Sequence, residues 1–292
     1  MCARSYVTER NSMKRIIHFK MNLDAVLYST RYVPLESAQS FILKILPQMG
    51  WGKSEGDDVI LDVGCGPGGT TRHLILSLFS SSSKIFAVDS IPDMIALARK
   101  HNSCSQIEYR VANIEDWSVL ERWKNQITKV VSILCFHWLK DQQKAFRNVY
   151  HLLRKEGEAA FFFALRSTFH ASVLDMQNSS RWSHLFNGVE NYVPESQFKG
   201  YADSYYKKML EEMGFEVLYC QSVEKIDVFS SEKEYREFFC SICVLRKYVP
   251  TEQLEEFEND FIEAMLQKNG RDTNGNPTLK AIFMEIVGRK KD

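Results

Sequence analysis

Four glycines fall within six positions of the stretch ILDVGCGPGGT, residues 60–70, after an apolar run that contains one aspartate. Glycine allows positive φ and lets the backbone approach a ligand closely, so such a loop can hold a small molecule. The glycines alone would suit the pyrophosphate of a dinucleotide or another phosphate. Asp62, two positions before the first glycine, indicates a different ligand, because its carboxylate would repel a phosphate and attract a cationic or donor-rich group.

A second acid stands 27 residues after Asp62, at the end of another apolar run. This acid is Asp89, and the run KIFAVD, residues 84–89, predicts a buried strand. In open parallel sheets, ligands bind beyond the carboxyl ends of the strands, where the strand order reverses. A carboxylate at that place can accept hydrogen bonds from both hydroxyls of a ribose. The two acids therefore predict a ligand that combines a ribose with a cationic group.

Short apolar runs alternate with helical patterns over the first half of the chain, which is the signature of right-handed βαβ units. These runs are residues 59–63, 84–89, 107–111, 130–134 and 159–164. Two later runs, residues 215–219 and 279–287, bring the number of predicted strands to seven. The predicted fold class is therefore α/β, with a doubly wound, mainly parallel seven-stranded sheet.

The alternation of strands and helices breaks at about residues 166–200 and 230–268, which we interpret as insertions that form a helical cap. Residues 21–292 are expected to form a single domain, with a helix over residues 24–46 before the first strand. Residues 1–20 are predicted to be a disordered N-terminal extension.

Composition argues against several classes of protein. Lys and Arg number 37, as do Asp and Glu, so the formal net charge is zero and nucleic acid is not expected as a partner. No apolar run approaches the length of a membrane-spanning helix, and the N-terminus lacks the apolar core of a secretory signal. Cys240 and Cys243 are one helical turn apart and predict two buried thiols rather than a zinc site. We therefore expect a cytoplasmic protein without a bound metal.

The order apolar-Asp-apolar-Gly-x-Gly-x-Gly, followed by a distal Asp, resembles the class I S-adenosylmethionine-dependent methyltransferases. Their cofactor carries a ribose, an adenine and an amino-acid end with an ammonium group, and it has no phosphate. The resemblance implies S-adenosyl-L-methionine as the cofactor. It also implies which residues bind it: Asp62, Gly64, Gly66 and Gly68 at the methionine end, Asp89 at the ribose, Asn113 and Ile114 beside the adenine, and Cys135 after the fourth strand. A nicotinamide dehydrogenase remains the alternative for the loop.

The segment LCFHWLKDQQKAF, residues 134–146, stands where this superfamily carries its reacting groups. It lacks the Asn-Pro-Pro-aromatic motif that holds a planar amino group, which argues against methylation of adenine or glutamine. Together with the run that continues to Glu158, it resembles the insect juvenile hormone acid methyltransferases and the related farnesoic acid methyltransferases over about residues 24–288. In that family a glutamine of the N-terminal helix touches the substrate carboxylate. An ungapped reading puts Glu36 at that place here, and we assign the role to Gln39, one turn further on.

This segment suits methyl transfer to a carboxylate. A carboxylate is already an anion at neutral pH, so the enzyme must desolvate it and orient it rather than deprotonate it. We expect Trp138, through its indole N–H, and His137, through its imidazole, to orient the acid. An apolar tail would lie among residues of the insertions and the strand before them: Phe163, Leu165, Phe169, Val173, Leu174, Trp182, Leu185, Phe186, Phe238, Phe239 and Ile242.

The sequence thus predicts an S-adenosylmethionine-dependent carboxyl O-methyltransferase that converts a lipophilic acid, similar to farnesoic acid or a juvenile hormone acid, to its methyl ester. That small lipophilic acid is the expected partner. Besides the dehydrogenase, two alternatives stay open: a methyltransferase for another small acid or a phenol, and a catalytically silent partner subunit that only binds the cofactor.

Overall fold

The computed structural model describes residue 25 and residues 35–53, 58–79 and 82–291. Its strands are β1 Val59–Val63, β2 Lys84–Asp89, β3 Ile107–Val111, β4 Ile127–Ile133, β5 Leu153–Ser167, β6 Phe215–Val228 and β7 Thr278–Lys290. They form one sheet in the order β3-β2-β1-β4-β5-β7-β6. Strands β1 to β5 are parallel, and β7 is antiparallel to both of its neighbours. The predicted fold class is confirmed.

Strands β1, β2 and β4 and the second part of β5 read as largely apolar runs because both faces of the sheet are buried there, whereas edge strand β3 alternates buried and half-exposed residues. Successive side chains of a strand point to opposite faces, and the two faces belong to two separate cores. Ile60 and Phe162 lie in one core, whereas Leu61 and Phe161 lie in the other. Local sequence therefore marked these strands clearly.

Strand β6 is longer than predicted, because it ends at Val228 rather than at Tyr219. It is an edge strand that pairs with β7 alone, and beyond Phe215 most of its side chains are half-buried or exposed. A strand with one wet face and a free edge carries charged residues, so no continuous apolar run marks its second half. Strand β5 is also longer than predicted and is irregular between Ala164 and Arg166.

The helices connect the strands and form the cap. They are α1 Glu36–Ser40, which continues through a π-helical turn, Phe41–Ile45, into α2 Leu46–Gln48, then α3 Pro92–His101, α4 Trp117–Leu120, α5 Gln142–Leu152, α6 Thr168–Asn178, α7 Glu195–Phe198, α8 Asp203–Glu212, α9 Glu232–Ile242 and α10 Leu254–Asn269. Between β1 and β2, Thr71–Ile75 is π-helical and Leu76–Leu78 is a 3-10 turn. Single 3-10 turns lie at Glu121–Trp123, Phe136–Trp138, Val189–Tyr192, Arg246–Tyr248 and Thr251–Gln253. Within the described ranges, no helix combines the length and the apolar character needed to cross a bilayer.

The cap helices pack on one another through aromatic rings. Phe169 of α6 stacks on Phe239 of α9 with 5.8 Å between the ring centroids, and it meets Phe261 of α10 edge-on at 6.0 Å. Trp182, in the loop after α6, meets Phe257 of α10 edge-on at 5.4 Å. The two predicted insertions therefore share one apolar core.

The first helix is held by a residue of the distant edge strand. Both the backbone N–H and the Oγ–H of Ser37 donate to the carboxylate of Asp227 in β6, each at 2.8 Å. Leu35, at the N-cap position, makes no capping bond, so Asp227 supplies the cap from another element. This contact fixes where Leu35 lies. The predicted extension, residues 1–20, and the first part of the helix predicted over residues 24–46 lie outside the described residues.

Candidate active site

A cavity opens at the carboxyl ends of β1 to β5, where the order of the strands reverses between β1 and β4. It encloses about 1070 Å³ of space that protein atoms do not fill, its open mouth included. One half is lined by the loops after β1 to β4, and the other half is lined by α6, α9, β5 and β7. Two chemically different halves thus meet in one space.

Asp89 organises the first half. Its Oδ2 accepts the backbone N–H of Gly66 at 2.9 Å, and its Oδ1 accepts the N–H of Ile91 at 2.9 Å. Each oxygen keeps a lone pair for a further donor, and Asp89 also lines the cavity. Burial raises the pKa of this carboxyl, while the N–H groups of Ile91 and Gly66 oppose the rise. The geometry suits a carboxylate that receives two hydroxyls.

Asp62 lies behind the lining rather than in it. Its side chain is 2% exposed, accepts the Oγ1–H of Thr71 at 2.6 Å, and is not among the residues that line the cavity. Burial raises the pKa of Asp62 from its ordinary 3.8 to about 7; the bond from Thr71 opposes this and the nearby Asp89 adds to it. The contact of Asp62 with the ligand's cationic end stays a prediction, and from this buried position the carboxylate would act on the ligand through its charge.

The glycines of the loop do two different jobs. Gly64 and Gly66 line the cavity, and Gly64 has φ of 78° and lies so close to Cys135 that an added Cβ would be 2.4 Å from its Sγ. Gly68 does not line the cavity: it has φ of 83°, and an added Cβ would be 2.7 Å from Oη of Tyr109. Gly68 thus packs closely between the loop and β3, and its contact with the ligand stays a prediction.

The remaining predicted ligand positions come together at the same edge. Asn113 and Ile114, after β3, line the cavity beside Ile91 and Met94. The Oδ1 of Asn113 accepts the backbone N–H of Glu115 at 2.9 Å, which orients its amide. Cys135, after β4, lines the cavity, and burial raises the pKa of its thiol. An apolar lining with one amide and a carboxylate that can accept ribose hydroxyls fits a nucleoside.

His137 and Trp138 stand at the junction of the two halves, on the 3-10 turn that follows β4. Their ring centroids are 4.9 Å apart. Trp138 meets Phe169 edge-on at 6.3 Å, so the cap supports the indole. Within the described part of the chain, no residue hydrogen-bonds the indole N–H of Trp138. Burial, and secondly His170, lower the pKa of His137 well below its ordinary value, so its imidazole is neutral.

His170 of α6 completes this aromatic cluster, and the sequence analysis missed it. Its ring lies 5.8 Å from those of both His137 and Trp138, and burial lowers its pKa to about 3. The available signal was the spacing Ser-x-x-His. Ser167 caps α6 by accepting the N–H of His170 at 3.2 Å, which places the histidine on the first turn of the helix.

The second half of the cavity is an apolar chamber. Its lining consists of Leu35, Ala164, Phe169, Phe238, Phe239, Ile242, Leu279, Ala281 and Phe283. Four of the predicted tail contacts are among them. Phe163 and Leu165 lie instead in the core on the opposite face of the sheet, because side chains alternate along β5. Val173, Leu174, Trp182, Leu185 and Phe186 do not line the chamber and pack with the cap core.

Neither candidate from the first helix lines this cavity. Glu36 is exposed, Gln39 is half-buried, and the nearest lining residue of the segment is Leu35. The buried face of the helix is formed by Leu35, Ala38 and Ile42, which directs Glu36 away from the cavity. The role of Gln39 in orienting the substrate carboxylate stays a prediction.

The charge of the cavity is simple. Asp89 is the one acidic side chain among the described residues that line it, and they include neither Lys nor Arg. No group of three or more His, Cys, Asp or Glu within the described ranges could hold a metal ion. The lining thus favours a cationic ligand at the glycine loop and an apolar molecule with a small polar head in the chamber.

Comparisons with known proteins agree with this geometry. Residues 61–161 match a family model described as a methyltransferase domain. Juvenile hormone acid O-methyltransferase of Drosophila melanogaster is 22% identical over 262 residues, covering 89% of this chain and 88% of the relative. The Bombyx mori protein of the same name is 24% identical over 235 residues, covering 80% and 83%. Malonyl-[acyl-carrier protein] O-methyltransferase of Bacillus cereus is 26% identical over 292 residues, covering 95% and 98%.

Solved structures share the fold. Phosphoethanolamine N-methyltransferase 2 of Haemonchus contortus, solved with S-adenosyl-L-methionine, matches with a TM-score of 0.52 at 14% identity, covering 92% of this chain and 57% of that one. A candidate methyltransferase of Bacillus halodurans matches with a TM-score of 0.54 at 18% identity, covering 86% and 100%.

The sheet order and the glycine loop with Asp89 agree with the methyltransferase domain matched over residues 61–161, and the chain has the fold of the class I S-adenosylmethionine-dependent methyltransferases. Its cofactor is S-adenosyl-L-methionine. Over most of its length the chain resembles the juvenile hormone acid O-methyltransferases.

Proposed function

We propose that this enzyme methylates the carboxylate of a lipophilic acid, of the farnesoic acid or juvenile hormone acid type, to give the methyl ester. The observation that carries the proposal is the junction of the cavity. There, an apolar chamber lined by phenylalanines meets the cofactor loops at three neutral aromatic side chains with ring nitrogens, His137, Trp138 and His170. An acid with an apolar tail has the matching shape and polarity.

The residues proposed to hold the cofactor follow from the lining. Asp89 would accept the ribose hydroxyls, and Asn113 and Ile114 would flank the adenine. Gly64, Gly66 and Cys135 would face the methionine end, with the charge of Asp62 acting from behind the loop. Because burial raises the pKa of Asp62 to about 7, a cation in the cavity would favour its ionised form near neutral pH.

The cofactor supplies a methyl group on a sulfonium, and transfer forms a C–O bond to the acid as the C–S bond breaks. The enzyme then has to hold one carboxylate oxygen in line with that methyl group and to keep water away. Trp138 and His137 would donate to the carboxylate and so fix its direction. A carboxylate and a sulfonium attract each other strongly in a buried apolar site, which assists their approach.

A carboxylate suits this lining better than a phenol does. A phenol has an ordinary pKa near 10 and would need a base. The two histidines of the junction have lowered pKa values because they are buried, so they are weak bases. An acid arrives already ionised. The relatives named above carry names of carboxyl methyltransferases, which supports the same choice.

Among the carboxylic acids that could be substrates, a polar acid fits the chamber less well than a lipophilic one. A malonyl group on a carrier protein would bring a charged, hydrated chain into a chamber where Phe169, Phe239 and Phe283 form the wall. A terpenoid or fatty tail gains about 0.8 kcal/mol for each methylene that it buries there. The silent-subunit alternative rested on Glu36, which is exposed and outside the lining.

The test is a transfer assay with S-adenosyl-L-methionine labelled in its methyl group and a matched panel of acceptors. The panel distinguishes the effect of the tail from that of the head group. It contains farnesoic acid, a straight-chain fatty acid, a short acid, farnesol and a phenol with a similar tail. We expect labelled methyl ester from the lipophilic acids and no product from the alcohol or the phenol. If S-adenosylhomocysteine binds by calorimetry and yet no lipophilic acid is methylated, the proposal is wrong.

A further inference from the structure

Two neighbouring histidines of the junction each keep one buried ring nitrogen for which the described residues offer no partner. These atoms are Nδ1 of His137 and Nε2 of His170, and both are shielded from water. The two rings meet at 66° with 5.8 Å between their centroids. A buried polar atom without a partner costs free energy, so two such atoms on adjacent rings indicate a contact that forms in a working state.

The hydrogen bonds of Ser167 define which nitrogen of His170 carries the proton. The Oγ of Ser167 accepts the backbone N–H of His170 at 3.2 Å and lies 2.8 Å from Nδ1 of the same residue. Among the described residues Nδ1 is the acceptor within reach of the hydroxyl proton, and the relay proposed below assigns the proton to this bond. A neutral imidazole that accepts at Nδ1 carries its proton on Nε2. The unpartnered Nε2 of His170 is therefore a donor.

The unpartnered Nδ1 of His137 is the matching acceptor. A direct hydrogen bond between two imidazole nitrogens, at about 2.9 Å, puts ring centroids about 5 Å apart. The observed separation of 5.8 Å exceeds this by less than about 1 Å, a shift that rotation of the two rings can supply. The polarity of the pair and its spacing agree.

We propose that Ser167 and His170 form a hydrogen-bond relay to Nδ1 of His137, which fixes the proton of His137 on Nε2 and so turns that atom into the donor for the substrate carboxylate. The inference rests on the proposed function for the meaning of that donor. His170 is then a positioning residue, because it acts through His137. The relay also explains why two histidines are buried as neutral rings: a fixed tautomer provides a donor without placing a cation beside the sulfonium.

The direct test is NMR on the full-length protein with ¹⁵N-labelled histidine and bound S-adenosylhomocysteine. Two-bond and three-bond couplings from carbon-bound protons identify the protonated nitrogen of each ring, and His137→Asn assigns the signals of His137. We expect His137 with its proton on Nε2, and a mixture of both tautomers in His170→Phe. His170→Gln should restore the single tautomer, since an amide oxygen can accept from Ser167 while the amide N–H donates to His137.

The kinetic test compares two ligands with the same tail, farnesoic acid and farnesol. His170→Phe should lower kcat/KM for farnesoic acid about tenfold. It should also weaken inhibition by an analogue of farnesoic acid that cannot accept a methyl group. Farnesol should inhibit this variant as strongly as it inhibits the parent enzyme. His170→Gln should retain most of the activity. Ser167→Ala should resemble His170→Phe, whereas Ser172→Ala, which removes a buried hydroxyl from the same helix away from the cavity, should not.

Failure of the relay and failure of the proposed substrate give different experimental results. If the parent enzyme methylates no lipophilic acid but His137 holds its proton on Nε2 only when His170 is present, the relay stands and the proposed substrate is wrong. If the acid is methylated but His137 has the same tautomers in the parent and in His170→Phe, the relay is wrong. A variant in which affinity for farnesol falls as much as affinity for the acid would indicate a merely structural role and would also overturn the relay.

Discussion

Replacing Gly64 by Ala tests the contact between the glycine loop after β1 and the loop after β4, which both line the cavity. Gly64 has φ of 78°, and an added Cβ would lie 2.4 Å from both Cβ and Sγ of Cys135. The left-handed conformation costs an alanine about 1–2 kcal/mol. Forcing a methyl group into a packed contact costs a further 1–3 kcal/mol or so. We therefore expect the free energy of unfolding to fall by about 2–5 kcal/mol.

A second glycine of the chain separates the two contributions. Gly50 also has positive φ, 90°, but an added Cβ would have no neighbour within 4 Å. Gly50→Ala should therefore lose about 1–2 kcal/mol, from the backbone alone. The contact with Cys135 can be removed directly: in a Cys135→Gly background the nearest atom left is Cα at 3.7 Å, an ordinary distance. There Gly64→Ala should cost no more than Gly50→Ala does, a coupling of about 1–3 kcal/mol.

The assays are urea unfolding followed by tryptophan fluorescence and calorimetry with S-adenosylhomocysteine. The loop is pinned by hydrogen bonds from the N–H groups of Gly64 and Cys65 to Val88, at 2.8 and 3.0 Å, so the added methyl group must shift either the loop or Cys135. Both line the site, and we expect the affinity for S-adenosylhomocysteine to fall at least about tenfold. Equal stability losses for Gly64→Ala and Gly50→Ala, with unchanged affinity, would show that this contact does not shape the site.

Three further changes probe the site. Trp138→Phe keeps the ring against Phe169 but removes the indole N–H, so kcat/KM for a lipophilic acid should fall roughly 10- to 100-fold while S-adenosylhomocysteine binds as before; unchanged kcat/KM would remove Trp138 from the proposed mechanism. Asp62→Asn should stabilise the cofactor-free protein by about 2–4 kcal/mol at pH 8, because the pKa of Asp62 rises from 3.8 unfolded to about 7 folded and stability is lost between these values as pH increases. Denaturation near pH 4 should show almost no gain, cofactor affinity should drop, and a gain that is the same at both pH values would contradict the assignment. Ala281→Leu fills part of the chamber, so KM should rise for long acids more than for short ones, and a uniform rise would place the tail elsewhere.

Sequence alone determined the first half of the sheet and the cofactor loop. Strands β1, β2 and β4 lie inside the sheet and are largely apolar because both of their faces are covered, whereas edge strand β3 keeps Ile107 and Tyr109 buried and carries Glu108 and Arg110 between and after them. The loop residues are dictated locally as well, since Gly64 and Gly66 need positive φ where the chain turns from β1. The acid at the end of β2 and the aromatic pair after β4 stand at strand ends, which any parallel sheet gathers at one edge.

Only the tertiary structure decided which side chains meet there. His170 is brought beside His137 by a cap helix that begins 30 residues after the 3-10 turn that carries His137 and Trp138, and nothing local to either histidine indicates the other. Local sequence likewise did not show that Gly68 packs on Tyr109, or that Asp62 lies behind the loop. It also did not show that β7 brings Phe283 to the chamber while Phe163 faces the opposite core. A local pattern states how a residue is oriented in its own element, because that follows from backbone periodicity. The partner of a side chain follows from how elements far apart in the chain pack, and that is settled by the whole core at once.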